Sequence, residues 1–233
     1  MSRMYSGFAR FYDVLQGGTP EPFAAWIERR AVELGREVES ILELGCGTGA
    51  VLDLLPAAWA KVGIDLSPDM LEIARVKGVD ADLIEADIRD VALDRRFDVV
   101  ACVYDTVNHV PVSDWSRVFA VASGHLEPDG MFLFDMNTLG RLRDGAGRSE
   151  TTVAGEATVT ISISDQGDDR YDWHVRIEGG DDLIEETIAE YGAALADVRR
   201  MLTDAGFTRV EVSGGRDRPV DDEAPRLFFA CRR

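Results

Sequence analysis

Short apolar runs alternate with amphipathic stretches through the first 140 residues of the chain. Runs of this length with turn residues at their ends are typical of buried strands. Five of them are predicted as strands, and they are Ile41–Leu44, Lys61–Asp65, Leu83–Asp87, Phe97–Val103 and Met131–Asp135. Because helical patterns separate the runs, we predict an α/β fold with right-handed crossovers and a parallel sheet.

Helix start and stop signals support this division. Ser67 and Pro68 are predicted to start a helix that Gly78 ends, since a hydroxyl at the N-cap and a proline in the first turn are both favoured. Ser113 is predicted to cap another helix, which ends at Gly124. The turns on either side of these helices then lead into the next strand.

Residues 141–192 have a different pattern. Apolar and polar residues alternate on both sides of a turn at 166–169, and this two-residue period predicts a hairpin. A second turn, at 179–181, leads to a third predicted strand, Leu183–Tyr191. We interpret 141–192 as an antiparallel lid over the mouth of a ligand cleft. A sheet that only mediates contacts in a homodimer stays open as an alternative.

The C-terminal part returns to the first pattern. Apolar residues recur at helical spacing from Leu195 to Ala205, and Gly206 ends this stripe. Two strand-like runs follow, Thr208–Val212 and Arg226–Cys231. They add two strands to the five of the first half.

The glycine-rich loop Gly45–Gly49 lies between the first strand and a helix that begins near Ala50. Such a loop lets a ligand lie against bare backbone, in front of the positive end of the next helix. If Ala50 is counted, the loop also fits the loose dinucleotide pattern G-x-G-x-x-G/A, so a nicotinamide cofactor is an alternative. Glu43 argues against it, because its carboxylate would repel a pyrophosphate and attract an ammonium or sulfonium group.

Acidic residues follow each of the next strands. Asp65 lies twenty residues after Gly45, where a carboxylate can accept both hydroxyls of a ribose. Asp87 is placed to meet an exocyclic adenine amine, and Asp105 and Asp135 follow the fourth and fifth strands. Open α/β sheets bind ligands at this edge. The predicted ligand is therefore a cation that carries a ribose and an adenine.

These motifs resemble those of the class I S-adenosylmethionine-dependent methyltransferases. The segments that carry the resemblance are Glu43–Gly49, Gly63–Met70, Ala86–Ile88 and Phe97–Val100. The resemblance implies a Rossmann-like, seven-stranded, mostly parallel sheet with helices on both faces and an antiparallel last strand. It also implies S-adenosyl-L-methionine as the cofactor and S-adenosyl-L-homocysteine as the product.

The family's cofactor site can be carried over residue by residue. By resemblance, the loop and Glu43 hold the methionyl part, Asp65 holds the ribose, and Asp87 with Ile88 holds the adenine. The full set of predicted cofactor-binding residues is Tyr12, Glu43, Gly45, Cys46, Gly47, Asp65, Leu66, Met70, Asp87, Ile88 and Val103.

The N-terminus is predicted to form a helical cap over residues 1–35, with helices at 5–16 and 22–34. The rings of Tyr5, Phe8, Phe11 and Tyr12 share one face of the first helix. In similar methyltransferases, an N-terminal Tyr-Asp segment closes over the cofactor. Tyr12 is therefore predicted to contact the cofactor and to serve at the catalytic centre, and the alternative is that these rings only attach the helix to the core.

His109 is the predicted catalytic base. It lies directly after the fourth strand, where donor and acceptor should meet, and an amine acceptor must lose a proton to a base such as histidine. The segment resembles that of amino-sugar N-methyltransferases, in which a histidine here is implicated as the base, although Asn108 replaces the more usual glycine. A structural histidine bonded to a carboxylate is the alternative. His125 and His174 are predicted on the surface.

Composition narrows the class of protein. The chain has 233 residues, which suits one α/β domain, so we predict a single domain over 1–233. A net charge of −18 disfavours extended contact with nucleic acid. The chain lacks a membrane-length apolar run and a signal-peptide core, and its three cysteines are far apart, so a cytoplasmic protein without membrane contact is expected. Since no cysteine or histidine pair has zinc spacing, no metal is predicted.

The predicted function is methyl transfer from S-adenosylmethionine to nitrogen or oxygen of a small-molecule acceptor. A modified tRNA base or a protein carboxylate is the alternative acceptor. A module that binds the cofactor without transferring methyl, and a nicotinamide oxidoreductase, are alternatives of other classes.

Overall fold

The computed structural model describes residues 9, 12–13, 20–179, 182–215 and 218–233, and the following statements concern these residues. The helices are α1 Pro20–Val32, α2 Ala50–Leu54, α3 Pro68–Lys77, α4 Trp115–Gly124, α5 Leu139–Gly145 and α6 Leu195–Asp204. Two short 3-10 helices span Thr106–His109 and Val112–Asp114.

Eleven strands are described, in chain order. They are β1 Ser40–Leu44, β2 Ala60–Asp65, β3 Asp82–Glu85, β4 Phe97–Cys102, β5 Leu126–Asn137, β6 Ser149–Ala154, β7 Ala157–Gly167, β8 Arg170–Gly179, β9 Asp182–Tyr191, β10 Arg209–Ser213 and β11 Arg226–Arg232. Of the predicted N-terminal helices, 22–34 is α1, whereas most of 5–16, including Tyr5, Phe8 and Phe11, lies outside the described residues.

Seven of the described strands form one sheet in the order β10-β11-β5-β4-β1-β2-β3. The pairs among β1 to β5 are parallel, whereas β11 runs antiparallel to both β5 and β10. The strand order reverses between β1 and β4, which lie side by side. Ligands of open α/β sheets bind at such a reversal, at the carboxyl ends of the strands. The expected ligand site therefore lies at the loops after β1 and β4.

The core explains why β4 and β5 lie at the centre. All six residues of β4 are buried, as a strand covered on both faces requires. Phe132 and Phe134 of β5 stack with ring centroids 5.0 Å apart, and Phe119 of α4 packs against both. Each fully buried aromatic side chain stabilises the fold by about 1.5–3 kcal/mol. This packing fixes the strand ends that carry the site.

The insertion forms a separate antiparallel sheet in the order β6-β7-β8-β9. Its inward face buries apolar side chains of the cluster that contains Val159, Val175, Ile177 and Ile188. Here the prediction of three strands was wrong. The sequence Ser-Glu-Thr-Thr-Val-Ala of β6 shows no apolar alternation, since β6 is an edge strand whose pairing comes from β7.

Local signals predicted some boundaries better than others. The Ser67 side chain accepts a hydrogen bond from the backbone N–H of Met70, and Gly78 ends α3 in the left-handed conformation, as predicted. The cap predicted at Ser113 is wrong, because Ser113 lies within a 3-10 turn and α4 begins at Trp115. Among the described residues, no helix has both the length and the apolar character that crossing a membrane requires.

Candidate active site

A cleft of about 320 Å³ lies at the reversal point between β1 and β4. We call it the β1/β4 cleft. Its lining residues are Tyr12, Asp13, Pro20, Glu21, Glu43, Gly45, Cys46, Gly47, Thr48, Ala50, Val51, Asp53, Leu54, Lys77, Val103 and Tyr104. The loops after both central strands thus contribute to its wall, as the sheet topology requires.

The glycines of the first loop are required by its geometry. Gly45 has φ +76°, and its N–H donates to the Ile64 carbonyl at 2.7 Å. A Cβ at Gly45 would lie 2.3 Å from Thr106 Cγ2, so the loop could not approach the 3-10 turn with any other residue there. A Cβ at Gly47, with φ +53°, would meet no described atom within 4 Å. The backbone at Gly47 therefore borders open space.

Glu43 is the most unusual group of the cleft. It is only 3% exposed, and its Oε2 atom has no hydrogen-bond partner among the described residues. Burial, with a smaller contribution from the charge of Asp65, raises the pKa of this carboxyl to about 8. A buried acid with an unused oxygen is suited to a cationic ligand group, which would restore its ionised form.

Asp65 connects two loops at the end of β2. One carboxylate oxygen accepts from the Gly47 N–H and the other from the Ser67 N–H, both at 2.8 Å. Burial raises its pKa although these hydrogen bonds act in the opposite direction. A carboxylate has about four acceptor positions, so lone pairs remain for further donors. The next side chain, Leu66, is 53% exposed and leaves an apolar surface beside them.

Asp87 already has a partner. Arg89 donates to both of its oxygens and reaches Asp114 as well. The hydrogen bonds from Arg89 lower the pKa of Asp87. An adenine amine would therefore have to share this carboxylate with a guanidinium that sequence reasoning did not consider.

Six of the predicted cofactor residues meet in the β1/β4 cleft, and these are Tyr12, Glu43, Gly45, Cys46, Gly47 and Val103. Asp65, Leu66 and Asp87 lie at the ends of the neighbouring strands, outside the lining. The side chains of Met70 and Ile88 are buried, and Ile88 packs in the main core. The cofactor roles of all these residues stay predictions.

One polar contact group closes the cleft from the N-terminal side. Thr48 donates to Asp13 at 2.6 Å, and Lys77 donates to the other oxygen of Asp13 at 2.8 Å. Tyr12, the preceding residue, packs against the apolar cluster of the second sheet. The Tyr12–Asp13 pair therefore bridges the glycine loop and the inserted sheet.

The chain turns sharply after β4. Tyr104 and Asp105 both have positive φ, 62° and 48°, although neither is glycine. Such residues cost on the order of 1–3 kcal/mol each and persist where the surroundings hold them. Here the Tyr104 ring packs against Phe23 with centroids 4.3 Å apart, and the Asp105 N–H donates to Asp135. The strained turn aims Asp105 and the following 3-10 helix at the inserted sheet.

Three ligand-type groups converge beyond this turn. Asp105, His109 and Glu190 each have a nitrogen or oxygen atom within 4.8 Å of the others. His109 Nδ1 lies 3.3 Å from the carbonyl oxygen of Ala189 in β9. A carbonyl only accepts hydrogen bonds, so this contact requires a proton on Nδ1. The 3-10 helix and β9 thus hold the imidazole beside both carboxylates.

A single guanidinium balances the acids of this region. Arg226 donates to Asp105 at 2.7 Å and to the fully buried Asp135. Asn137 Nδ2 bridges Asp105 at 3.0 Å and Glu190 at 3.3 Å. Burial raises the pKa of Glu190 to about 8 and that of Asp135 to about 6. For Asp105, burial is the largest single cause and raises the pKa, but the charges of Arg226 and His109 together with hydrogen bonds outweigh it, and the pKa is lowered.

Asn108 has a structural role. Its Nδ2 donates to the carbonyls of Asn137 at 3.0 Å and Tyr191 at 2.9 Å, and its Oδ1 accepts from the Asn137 N–H. The residue that departs from the family's glycine therefore joins the 3-10 helix to both sheets. It holds His109 in place from the preceding position.

The three converging groups could also hold a metal ion, since imidazole and carboxylate are both metal ligands. However, Arg226 already pairs with Asp105, and burial raises the pKa of Glu190 to about 8, which favours its protonated form. The prediction of no metal stays a prediction.

The other two histidines have different surroundings. The surface position predicted for His125 is wrong, because the residue is buried; its Nε2 accepts from Leu93 N–H, and its Nδ1 contacts the Val121 carbonyl. These contacts connect α4 to the loop before β4, a pairing without a local sequence signal. His174 is exposed on the outer face of the inserted sheet, as predicted, and contacts Ser164 and Thr187.

Part of the chain is similar to a known protein family. Residues 41–130 match a family described as a methyltransferase domain, which covers the glycine loop and strands β1 to β4. This match supports the resemblance to the class I S-adenosylmethionine-dependent methyltransferases. The resemblance read from the motifs around Glu43, Asp65 and Asp87 is confirmed.

Two methyltransferases are similar to this chain in sequence. A dTDP-3-amino-3,6-dideoxy-alpha-D-glucopyranose N,N-dimethyltransferase from Streptomyces fradiae is 33% identical over 141 residues, which cover 56% of this chain and 54% of that protein. A cypemycin N-terminal methyltransferase from a Streptomyces species is 28% identical over 200 residues, 82% and 80% of the two chains. The chain spans about half the length of the sugar methyltransferases that it matches.

A solved structure from Clostridium acetobutylicum, described as an S-adenosylmethionine-dependent methyltransferase, has the same fold. The TM-score is 0.83 at 22% identity, with 98% of both chains covered. The predicted fold class, a Rossmann-like mostly parallel sheet with an antiparallel insertion, is confirmed.

Proposed function

We propose that this methyltransferase moves a methyl group from S-adenosylmethionine to the nitrogen of a small-molecule amine, with an amino sugar as the leading acceptor. The observation that carries the proposal is the convergence of His109, Asp105 and Glu190, whose ligand-type atoms lie within 4.8 Å of one another. The contact between His109 Nδ1 and the Ala189 carbonyl holds the imidazole at this point. A base at this point is what amine methylation needs and what a binding module does not.

The β1/β4 cleft fits the proposed cofactor. Glu43 offers a buried oxygen without a partner, which suits a cationic ligand, and the backbone at Gly47 borders open space. When bound, S-adenosylmethionine supplies a methyl carbon that the acceptor nitrogen attacks, while sulfur leaves with the electron pair as S-adenosylhomocysteine. Glu43 and the loop would hold the methionyl end, and Asp65 would accept from the ribose hydroxyls.

In this proposal, the residues of the chain supply position, charge and a base. Asp105 and Glu190 attract the acceptor's ammonium, and His109 Nε2 removes the proton that blocks the nitrogen lone pair. Tyr12 lines the cleft at its boundary with the inserted sheet, where it would contact both ligands. Water would be excluded by residues 141–192 acting as a lid and by the cap of residues 1–35, whose Asp13 holds the glycine loop.

Relatives are named for both kinds of acceptor atom. The sugar enzymes are N,N-dimethyltransferases, whereas other relatives are ubiquinone biosynthesis O-methyltransferases. The acid-rich surroundings of His109 favour nitrogen, because they favour a cation over a neutral hydroxyl. We further propose that the protein works as one domain in the cytoplasm, where its three free, buried cysteines would stay reduced.

The test measures turnover and cofactor binding separately. Wild-type protein, the His109→Ala variant and the His174→Ala control are assayed with S-adenosylmethionine and dTDP-3-amino-3,6-dideoxy-alpha-D-glucopyranose, beside a panel of simple amines and phenols. We expect His109→Ala to lower kcat by about 10²–10⁴-fold, the usual contribution of a general base, with an unchanged Kd for S-adenosylhomocysteine. His174→Ala should change neither quantity.

Two results would contradict the proposal. Methylation confined to the phenols would move the reaction to oxygen. Equal losses of turnover and cofactor affinity in His109→Ala would show that His109 is structural.

A further inference from the structure

We propose that Glu190, in lid strand β9, determines acceptor specificity by pairing with Asp105 to bind the acceptor's ammonium group. The inference rests on the proposed function, which it deepens. It gives the inserted sheet a direct chemical role, because one of the two charged groups that recognise the acceptor comes from the lid.

Backbone contacts of β9 hold Glu190 in place next to His109, the proposed base. The Ala189 carbonyl contacts His109, and the Tyr191 carbonyl accepts from Asn108 at 2.9 Å. Glu190 lies between these contacts and is only 3% exposed. Its carboxyl group meets Asn137 and Asp105 rather than solvent. Three consecutive lid residues thus dock on the segment that follows β4 and on the end of β5.

Among the described residues, acidic side chains outnumber basic ones in this region. Asp105, Asp135 and Glu190 are three acids in contact with one another or with Arg226, which is the cation paired with them among the described residues. Ligand-type atoms of Asp105 and Glu190 lie within 4.8 Å of each other, and burial beside this charge raises the pKa of Glu190, so the pair retains one proton. The site therefore holds a proton where a second cation would fit.

An ammonium group can replace that proton. When the acceptor docks as an ammonium, Glu190 releases its proton to solvent, and both carboxylates accept from the nitrogen. His109 Nε2 then takes one proton from the ammonium and becomes imidazolium, which leaves a neutral amine with a free lone pair. A hydroxyl in the same place carries no charge and would leave that retained proton where it is. The pair thus distinguishes an amine from an alcohol of the same shape.

The test is a binding experiment that needs no turnover. Two sugars are titrated into protein saturated with S-adenosylhomocysteine and followed by calorimetry. One is dTDP-3-amino-3,6-dideoxy-alpha-D-glucopyranose, and the other carries a hydroxyl in place of its amine. The variants are Glu190→Gln, whose amide can still donate to Asp105 as the protonated acid does, and the control Glu185→Gln. Glu185 lies on the same strand but is exposed and pairs with Arg176.

We expect wild-type protein to bind the amino sugar about tenfold to a hundredfold more tightly than its hydroxyl counterpart, the range of a charge-assisted hydrogen bond. Glu190→Gln should lose most of this preference through weaker binding of the amine alone, with unchanged affinity for S-adenosylhomocysteine. Glu185→Gln should keep the preference.

Equal affinity of wild-type protein for the two sugars, or binding of neither at millimolar concentration, would overturn the inference. A preference retained in Glu190→Gln would do the same. These outcomes are separate from those of the proposed function. Discrimination without methyl transfer would refute the proposed function alone, and methyl transfer without discrimination would refute the role of Glu190 alone.

Discussion

Replacing Glu43 by glutamine should stabilise the ligand-free protein. The carboxyl is 3% exposed, and its pKa rises from an ordinary 4.5 to about 8. At pH 7 the unfolded chain carries an ionised Glu43, whereas the folded protein must hold it protonated. Each pKa unit corresponds to 1.36 kcal/mol, so protonation over the 2.5 units between pH 4.5 and pH 7 costs about 3 kcal/mol. Glutamine has no such cost.

The sign of this effect fixes its pH dependence. Between pH 4.5 and pH 8 the folded protein binds more protons at Glu43 than the unfolded chain does, so this residue lowers stability as pH rises. The difference between the variant and wild-type protein should therefore be near zero at pH 4.5. It should grow to about 3 kcal/mol at pH 7 and level off above pH 8.

Urea denaturation of both proteins at several pH values measures this difference directly. Glu21→Gln is the matched control, because Glu21 lines the same cleft but is exposed, and its substitution should leave stability unchanged at every pH. A constant difference across the pH range would refute the reasoning, since it would show that Glu43 is ionised in the folded protein. A variant less stable than wild-type protein at pH 7 would refute it as well.

Three further outcomes follow from the described contacts. Gly45→Ala should lower the free energy of unfolding by more than about 1–3 kcal/mol, because a left-handed alanine is strained and its Cβ would also collide with Thr106. Gly47→Ala should lower it only by the strain, since its Cβ would meet open space. Urea denaturation measures both losses. Asp65→Asn should weaken S-adenosylmethionine binding about tenfold or more by calorimetry, and its single amide oxygen can still accept from only one of the two loop N–H groups, Gly47 or Ser67. Arg226→Met should destabilise the fold by about 3–5 kcal/mol, since it leaves two buried carboxylates unpaired, and chemical denaturation at neutral pH measures the loss.

The parts of the fold that the sequence predicts are those with local causes. Ser67 caps α3 and Gly78 ends it because each signal acts within one turn of the helix. The acids at the carboxyl ends of β1 and β2, Glu43 and Asp65, could be predicted for a similar reason, since alternating strands and helices bring the strand ends to one edge. The glycine loop was also predictable, because its positive φ angles are a backbone requirement that the residue type reveals.

The features of the fold and of the candidate site that the sequence does not predict depend on contacts between residues far apart in the chain. Glu190 lies 80 or more residues from Asp105 and His109 along the chain, and its sequence neighbours show only an alternating strand. Arg226 is a C-terminal residue whose role depends on β11 lying beside β5. The buried position of His125 has the same kind of cause, namely a hydrogen bond from Leu93. No periodicity along the sequence encodes such pairings.

The place of the inserted sheet in the chain order has an evolutionary consequence. The strands β6 to β9 lie between the last parallel strand and α6, so they add to the seven-stranded sheet without altering its order. The residues proposed to bind the cofactor therefore lie outside the stretch that carries Glu190, the residue proposed to select the acceptor. A chimaera that exchanges residues 141–192 with those of a relative should inherit the relative's preference among acceptors while keeping its own affinity for the methyl donor. One scaffold could in this way diversify toward new metabolites by exchanging a single contiguous piece.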